Sequence, residues 1–254
     1  MGALHEGHIA LIRRARKIAG RKGTVAVSIF VNPLQFGPKE DFSRYPRPTA
    51  ADRKICAANG VDLVFAPTVN QMYGSDFSTT INENTLSTVL CGRSRPGHFG
   101  GVCTVVAKLF HILAPNVAVF GLKDFQQFTI IKRMVRDLNM PIRLVGVETV
   151  RERDGLAVSS RNRYLNFVER RQAPLMREAL LAARRARRAG ESRAASLRRI
   201  IIKGISSAPL ARIDYVAVVD AETLQPVDSV KRNALAAVAV FFRRTRLIDN
   251  IRLA

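Results

Sequence analysis

His5 and His8, three residues apart around Gly7, sit at the head of an apolar-periodic run. Leu4, His8, Leu11, Ala15 and Ile18 recur at alternating spacings of four and three, which predicts an amphipathic helix with both imidazoles at its first turn. A helix start offers free N–H groups and about half a positive charge, a setting suited to phosphate oxygens. Gly7 lets a nucleotide approach the backbone, and imidazoles donate hydrogen bonds to an α-phosphate as charge builds there in a transition state. An exposed histidine pair at a chain end reads the same from these residues alone. Zinc does not fit, because a zincin pair needs histidines four apart, and His98 and His111 form no second cluster. No metal-ligating residue is assigned.

Further constellations carry chemistry. Asn32 and Gln35 lie among apolar residues in Phe30-Val31-Asn32-Pro33-Leu34-Gln35-Phe36-Gly37, where amides can bind the hydroxyls and carboxylate of a small polar acid; a plain turn is the alternative. Lys123 beside Asp124 pairs a point charge for phosphates with a carboxylate that accepts from ribose hydroxyls. Of Gln126 and Gln127 just after it, one can face a crevice while the other packs or turns away. Asp154-Gly155-Leu156-Ala157-Val158-Ser159-Ser160-Arg161-Asn162 offers two hydroxyls and an arginine after a glycine turn, a clamp for outer phosphates or a polar loop. Arg93, Arg95, His98 and the Gly97-Phe99-Gly100-Gly101 turn make a second anion-facing helix start or a glycine loop, and residues 40–47 a lid or a packed loop.

The elements that must hold these groups alternate. Apolar runs at 24–31, 61–65, 117–120 and 142–150 read as strands; 49–58, with Gly60 ending it, 102–113 and 124–138 read as helices. Alternation implies a mostly parallel sheet with ligands at the carboxyl ends of its strands, so the 32–37 and 121–124 loops should face one crevice. Beyond 150 the pattern becomes two Arg/Ala-rich helices, 167–189 and 193–206, then strands at 215–219 and 236–242, an α+β region with antiparallel pairing. The expected division is 1–150 for ATP and substrate and 151–254 as a small lid domain.

Composition bounds the rest. The 254 residues, 47% hydrophobic, can bury a core, and no apolar run is long enough to span a membrane. Cytoplasmic residence is the default, since no signal segment is evident and Cys56, Cys91 and Cys103 suggest no disulfide framework. A net charge of +21 raises nucleic acid as a partner, but the excess runs through both halves. Its densest stretch, 184–188, lacks interleaved aromatics, so nucleic acid is not expected, and a field attracting ATP and carboxylates explains the charge.

Taken in order, these segments resemble the pantoate–β-alanine ligase (pantothenate synthetase) family. The match runs through Met1 to His8, the 30–37 loop, Glu40-Asp41 with Tyr45-Pro46-Arg47, Arg95-Pro96-Gly97-His98-Phe99, Phe120 to Gln127, Asp154 to Asn162, and Thr245-Arg246-Leu247-Ile248-Asp249-Asn250. The resemblance implies a Rossmann-like nucleotidyltransferase domain of the HIGH superfamily followed by a small α+β domain. It implies ATP-dependent, Mg2+-assisted conversion of (R)-pantoate and β-alanine to pantothenate through pantoyl adenylate, in a homodimer. Carried over by position, His5, His8 and Lys123 are catalytic. Met1, Gly121, Asp124, Val150, Ser159, Ser160 and Arg161 join them in binding ATP, and Asn32, Gln35 and Gln127 bind pantoate. Family members also carry a buried strand and a Pro-Thr pair ahead of the methionine matched by Met1, so a sheet lacking its first strand is expected. Another nucleotidyltransferase with the same histidine pair, an inactive truncated remnant and a basic nucleic-acid binder are the alternative readings.

Overall fold

The computed structural model describes residues 1–38 and 40–253. Its first half alternates as the sequence implies: α1 (Glu6–Ala19), β1 (Ala26–Ser28), α2 (Thr49–Ala58), β2 (Leu63–Phe65), α3 (Val69–Met72), α4 (Cys91–Ser94), α5 (His98–Leu113), β3 (Val117–Gly121), α6 (Phe125–Asp137) and β4 (Arg143–Val147). β1 pairs in parallel with β2, and β3 in parallel with β4. Among the described residues these remain two separate pairs. Met1 lies on the edge of β1 opposite β2, where its amine donates to Ser28 O at 2.8 Å and its carbonyl accepts from Phe30 N–H at 2.9 Å. That is one rung of a parallel ladder.

Several boundaries differ from the sequence reading. β1 is three residues long, not the full 24–31 run, because its ladder with β2 ends at Ser28↔Phe65 and the chain then leaves for the Asn32 loop. α1 buries Ile12 rather than a face centred on Leu11, and Leu4 precedes the helix. The Phe99-Gly100-Gly101 glycines belong to α5 instead of a turn before it. A Cβ on Gly101 would stand 2.3 Å from Leu34 O, so a bare backbone there lets α5 press against the 3-10 turn Pro33–Gln35.

In the second half, the expected helix 167–189 is two: α7 (Phe167–Gln172) and α8 (Leu175–Arg188), divided at Pro174, which cannot donate to the helical ladder. α9 (Ala194–Ser206) precedes an antiparallel sheet of β5 (Ala211–Asp220), β6 (Ala234–Phe242) and β7 (Thr245–Arg252), in the order β5-β6-β7. Leu180, Leu197, Ile201, Val238 and Phe242 lie at the centre of its core. Tyr215, Leu235 and Ala237 belong instead to the cluster built around α5 and α6, so the sheet packs on the first half as well as on its own helices.

Candidate active site

His5 caps α1. Its Nδ1 accepts from Gly7 N–H at 3.2 Å, and His8 Nδ1 accepts from His5 N–H at 3.3 Å, a reciprocal box that brings the ring centroids to 4.1 Å. A Cβ on Gly7 would lie 2.9 Å from His5 Cε1, so only glycine leaves room for the ring to fold back. Because each Nδ1 accepts, a neutral imidazole carries its proton on Nε2. Burial, then the charge of Lys123, lowers the His5 pKa; burial, then His5 itself, pushes His8 down to about 2. Both rings therefore offer uncharged Nε2–H donors at neutral pH.

The turn before them is held from α2. Asp52, 1% exposed, accepts from Ala3 N–H at 2.9 Å and Leu4 N–H at 2.7 Å. Ala3 has φ +50°, in the left-handed region, which aims successive N–H groups at one anion. Sequence reasoning passed over Asp52, which looks like any charge in an alanine-rich helix.

Asn32 is buried and its amide is fully engaged. Oδ1 accepts from Leu34 N–H and the Tyr73 hydroxyl at 3.2 and 2.7 Å, while Nδ2 donates to Gly101 O and Gln35 Oε1 at 3.0 and 3.4 Å. The structure thus gives Asn32 the task of fixing the turn that carries Gln35. Both glutamines after Asp124 reach the cavity wall, but the buried Gln126 spends its amide on the protein, accepting from Cys91 N–H and donating to Leu86 O and Val89 O.

Gly121 ends β3 beneath α1, where a Cβ would meet Leu11 at 4.0 Å. Lys123 follows in a 3-10 turn with its ammonium 3.9 Å from Asp124 Oδ1, too long for a strong pair, so the charge stays available. Asn250 on β7 donates to Leu122 O and Lys123 O, each at 3.0 Å, and so grips this loop from the second half of the chain.

The clamp segment is ordered against residues 40–47. Ser159 Oγ accepts from Arg161 N–H at 3.3 Å, and buried Ser160 Oγ lies 3.1 Å from the Tyr45 hydroxyl. Arg161 donates to both Asp41 oxygens at 3.1 and 2.9 Å. Partial burial opposes it, but the Arg161 bonds and charge hold Asp41 below the usual carboxylate range. Val150 starts this hairpin, its carbonyl accepting from Val158 N–H at 3.0 Å.

Arg95 is held the same way. It meets Glu40 with Nε and Nη2 at 2.6 Å each, donates through Nη1 to His98 Nε2 at 2.9 Å, and reaches Gln35 O at 3.2 Å. His98 donates from Nδ1 to Gln35 O at 2.7 Å, and burial plus Arg95 lowers its pKa to about 4. Residues 40–47 are therefore packed by two arginine–carboxylate pairs.

A cavity of about 830 Å³ opens between the halves, lined by Arg95, His98, Lys123, Asp124, Gln127, Ser159 and Arg161 among others. That size suits a nucleotide with a small acid. His5, His8, Met1, Asn32, Gln35, Gly121, Val150 and Ser160 fall outside its lining, although His5 senses the charges of both Lys123 and Asp124. Glu40, Asp41, Tyr45, Arg95 and Asn250 have contacts within the site that their types alone did not reveal. The described residues include no group of three or more His, Cys, Asp or Glu that could hold a metal.

Comparison with known proteins places the chain in a family. The pantoate–β-alanine ligase family model matches residues 1–252. Pantothenate synthetase of Moorella thermoacetica is 53% identical over 251 residues, covering 99% of this chain and 88% of the relative. That of Thermotoga neapolitana is 52% identical over 250 residues, covering 98% and 88%. The crystal structure of pantothenate synthetase from Thermus thermophilus superposes with a TM-score of 0.95 at 48% identity, covering 100% of this chain and 91% of that one. The ligase from Francisella tularensis, complexed with beta-gamma ATP and beta-alanine, gives 0.82 at 33% identity, covering 100% and 87%. With its parallel strands, histidine box and antiparallel C-terminal sheet, this chain belongs to the pantoate–β-alanine ligase family, whose members form a C–N bond.

Proposed function

We propose that this site joins (R)-pantoate to β-alanine in two half-reactions. The pantoate carboxylate attacks the α-phosphorus of ATP, giving pantoyl adenylate and pyrophosphate. The β-alanine amine then attacks the acyl carbon, expels AMP, loses a proton and gives pantothenate. The observation that carries this reading is the pair of uncharged Nε2–H donors on His5 and His8 within the field of Lys123. Such donors stabilise charge developing on the α-phosphate.

The remaining roles follow from position. Lys123 meets the phosphates; Ser159, Ser160 and Arg161 receive the outer ones once Asp41 lets go. Met1, Gly121, Asp124 and Val150 surround the nucleoside. Gln35 and Gln127 bind pantoate, with Asn32 holding Gln35 in place. The groups facing the phosphates are hydroxyls and cations, which suits Mg2+ carried on the ATP phosphates with few protein ligands. The ion would neutralise phosphate charge. The Francisella tularensis relative, complexed with beta-gamma ATP and beta-alanine, supports the same substrates here. Residues 1–150 serve as the ATP and pantoate domain and 151–254 as the lid domain, in a cytoplasmic homodimer.

The test is an assay of purified protein with ATP, pantoate and β-alanine. Pyrophosphate release that requires pantoate, followed by AMP and pantothenate on adding β-alanine, is expected. Accumulation of a stable nucleotide conjugate without amide formation would overturn the ligase reading in favour of a nucleotidyltransferase.

A further inference from the structure

The pairing of Arg95 with Glu40 has the form of a bound substrate carboxylate. Two parallel N–H···O bonds of 2.6 Å from Nε and Nη2 make the fork-to-fork geometry that guanidinium offers to a carboxylate. The arginine is prepared for it: its side chain is only 15% exposed, His98 accepts from Nη1, and Gln35 O accepts from Nη2. His98 is in turn fixed by its own bond to Gln35 O. Glu40, by contrast, belongs to a loop: the described residues 37–38 and 40–47 have no regular helix or strand. The arginine is bonded on several sides, whereas the carboxylate comes from a loop.

Both substrates other than ATP carry a carboxylate, and the chemistry separates them. Pantoate's carboxylate is the nucleophile of the first half-reaction, and a two-pronged guanidinium grip on both its oxygens would quench it. The amine substrate's carboxylate reacts in neither step, so it can stay gripped throughout. We propose that Arg95 is the docking cation for the carboxylate of the amino-acid substrate, and that Glu40 occupies it as an internal stand-in until that substrate arrives. This rests on the reading of the site given above and names its amino-acid subsite. Held on a short tether, Glu40 competes at an effective concentration in the millimolar range, roughly, so it raises the substrate concentration needed to fill the site.

The competing view makes Arg95–Glu40 a simple latch on the loop. Loss of either partner would then shift the kinetics in the same direction. The inference instead requires opposite signs. Glu40→Ala should lower the KM for β-alanine several-fold, while Arg95→Gln should raise it by roughly 10²-fold or more, the scale for removing one partner of a buried charge pair. Propionate, which is β-alanine without its amine, should compete with β-alanine in the unaltered protein and in Glu40→Ala but not in Arg95→Gln. The pantoate-dependent burst of pyrophosphate should survive Glu40→Ala. KM shifts of the same sign in the two variants, or propionate that competes equally well in Arg95→Gln, would overturn the assignment while leaving the ligase reading intact. Should Arg95→Gln fail to fold, an unchanged β-alanine KM in Glu40→Ala would overturn it alone. No burst in the unaltered protein would remove the ligase reading and this inference together.

Discussion

β1 and β6 both contain alanine and valine, yet they are secured by different physics. β6 runs nine residues between two antiparallel partners and buries nearly all of its side chains. β1 is three residues long, pairs with β2 on one edge and buries only Val27. Apolar burial is enough to place the C-terminal sheet. Around the loops of the candidate site that work falls to side chains bonding distant backbone: Asp52 to Ala3 and Leu4, Asn32 to Gly101, Gln126 to Leu86 and Val89, Asn250 to Leu122 and Lys123. Hydrogen bonds are directional, so they fix loop geometry that packing alone leaves loose.

Substitutions in the two regions should therefore separate stability from rate. The largest effect is expected at Leu197, fully buried against the C-terminal sheet: Leu197→Ala should cost about 2–5 kcal/mol in urea unfolding. The adenylation rate per folded molecule should hardly change. A comparable loss of rate would mean the C-terminal core tunes the site directly. Next, Lys123→Ala should slow pantoate-dependent pyrophosphate release by roughly 10²-fold with an unchanged urea midpoint. An unaltered rate would take Lys123 out of the mechanism.

Asp52→Asn falls between the two classes. The amide keeps one acceptor but loses the carboxylate's charge, so about 1–3 kcal/mol of stability and part of the adenylation rate should go together, with the β-alanine KM steady. A stability loss with normal kcat would reduce Asp52 to a scaffold residue. The smallest effect at neutral pH concerns His98. Its folded pKa, near 4, lies below the ordinary 6.5, so between those values the unfolded chain binds a proton that the folded chain refuses. Stability is intact above pH about 6.5 and declines as pH falls toward 4. His98→Gln should flatten this part of the stability profile, measured by urea melts at several pH values; an unchanged slope would assign it to other groups.

Much of this was readable in the chain, for reasons that differ by residue. Lys123, Ser159 and Arg161 follow a strand end and a glycine turn, local signals that place them at a cavity wall. β7 was missed although its signal is local too: Thr245, Leu247, Asp249 and Ile251 are buried in strict alternation. The buried Asp249, paired with Arg151 at 2.8 and 2.9 Å, hid the strand by interrupting its apolar pattern. Asp52 was invisible for another reason. Its partners lie 48 and 49 residues away, and nothing in its helix points to them. The anchoring bonds of Asn32 were equally hidden, because three of its four partners come from other segments or the turn backbone, which spacing does not encode.

The bond from Asn250 to the Lys123 loop has a consequence for how this enzyme can be taken apart. A cut near residue 150 looks natural from the change of secondary structure, but it would leave the Lys123 loop on one fragment and the asparagine that grips it on the other. Mixing the two fragments should restore turnover only when they reassociate, so activity would depend on the square of dilution rather than on its first power. Chimeras that exchange the C-terminal half would need to keep the asparagine register on the last strand, or the graft would fold well and adenylate poorly.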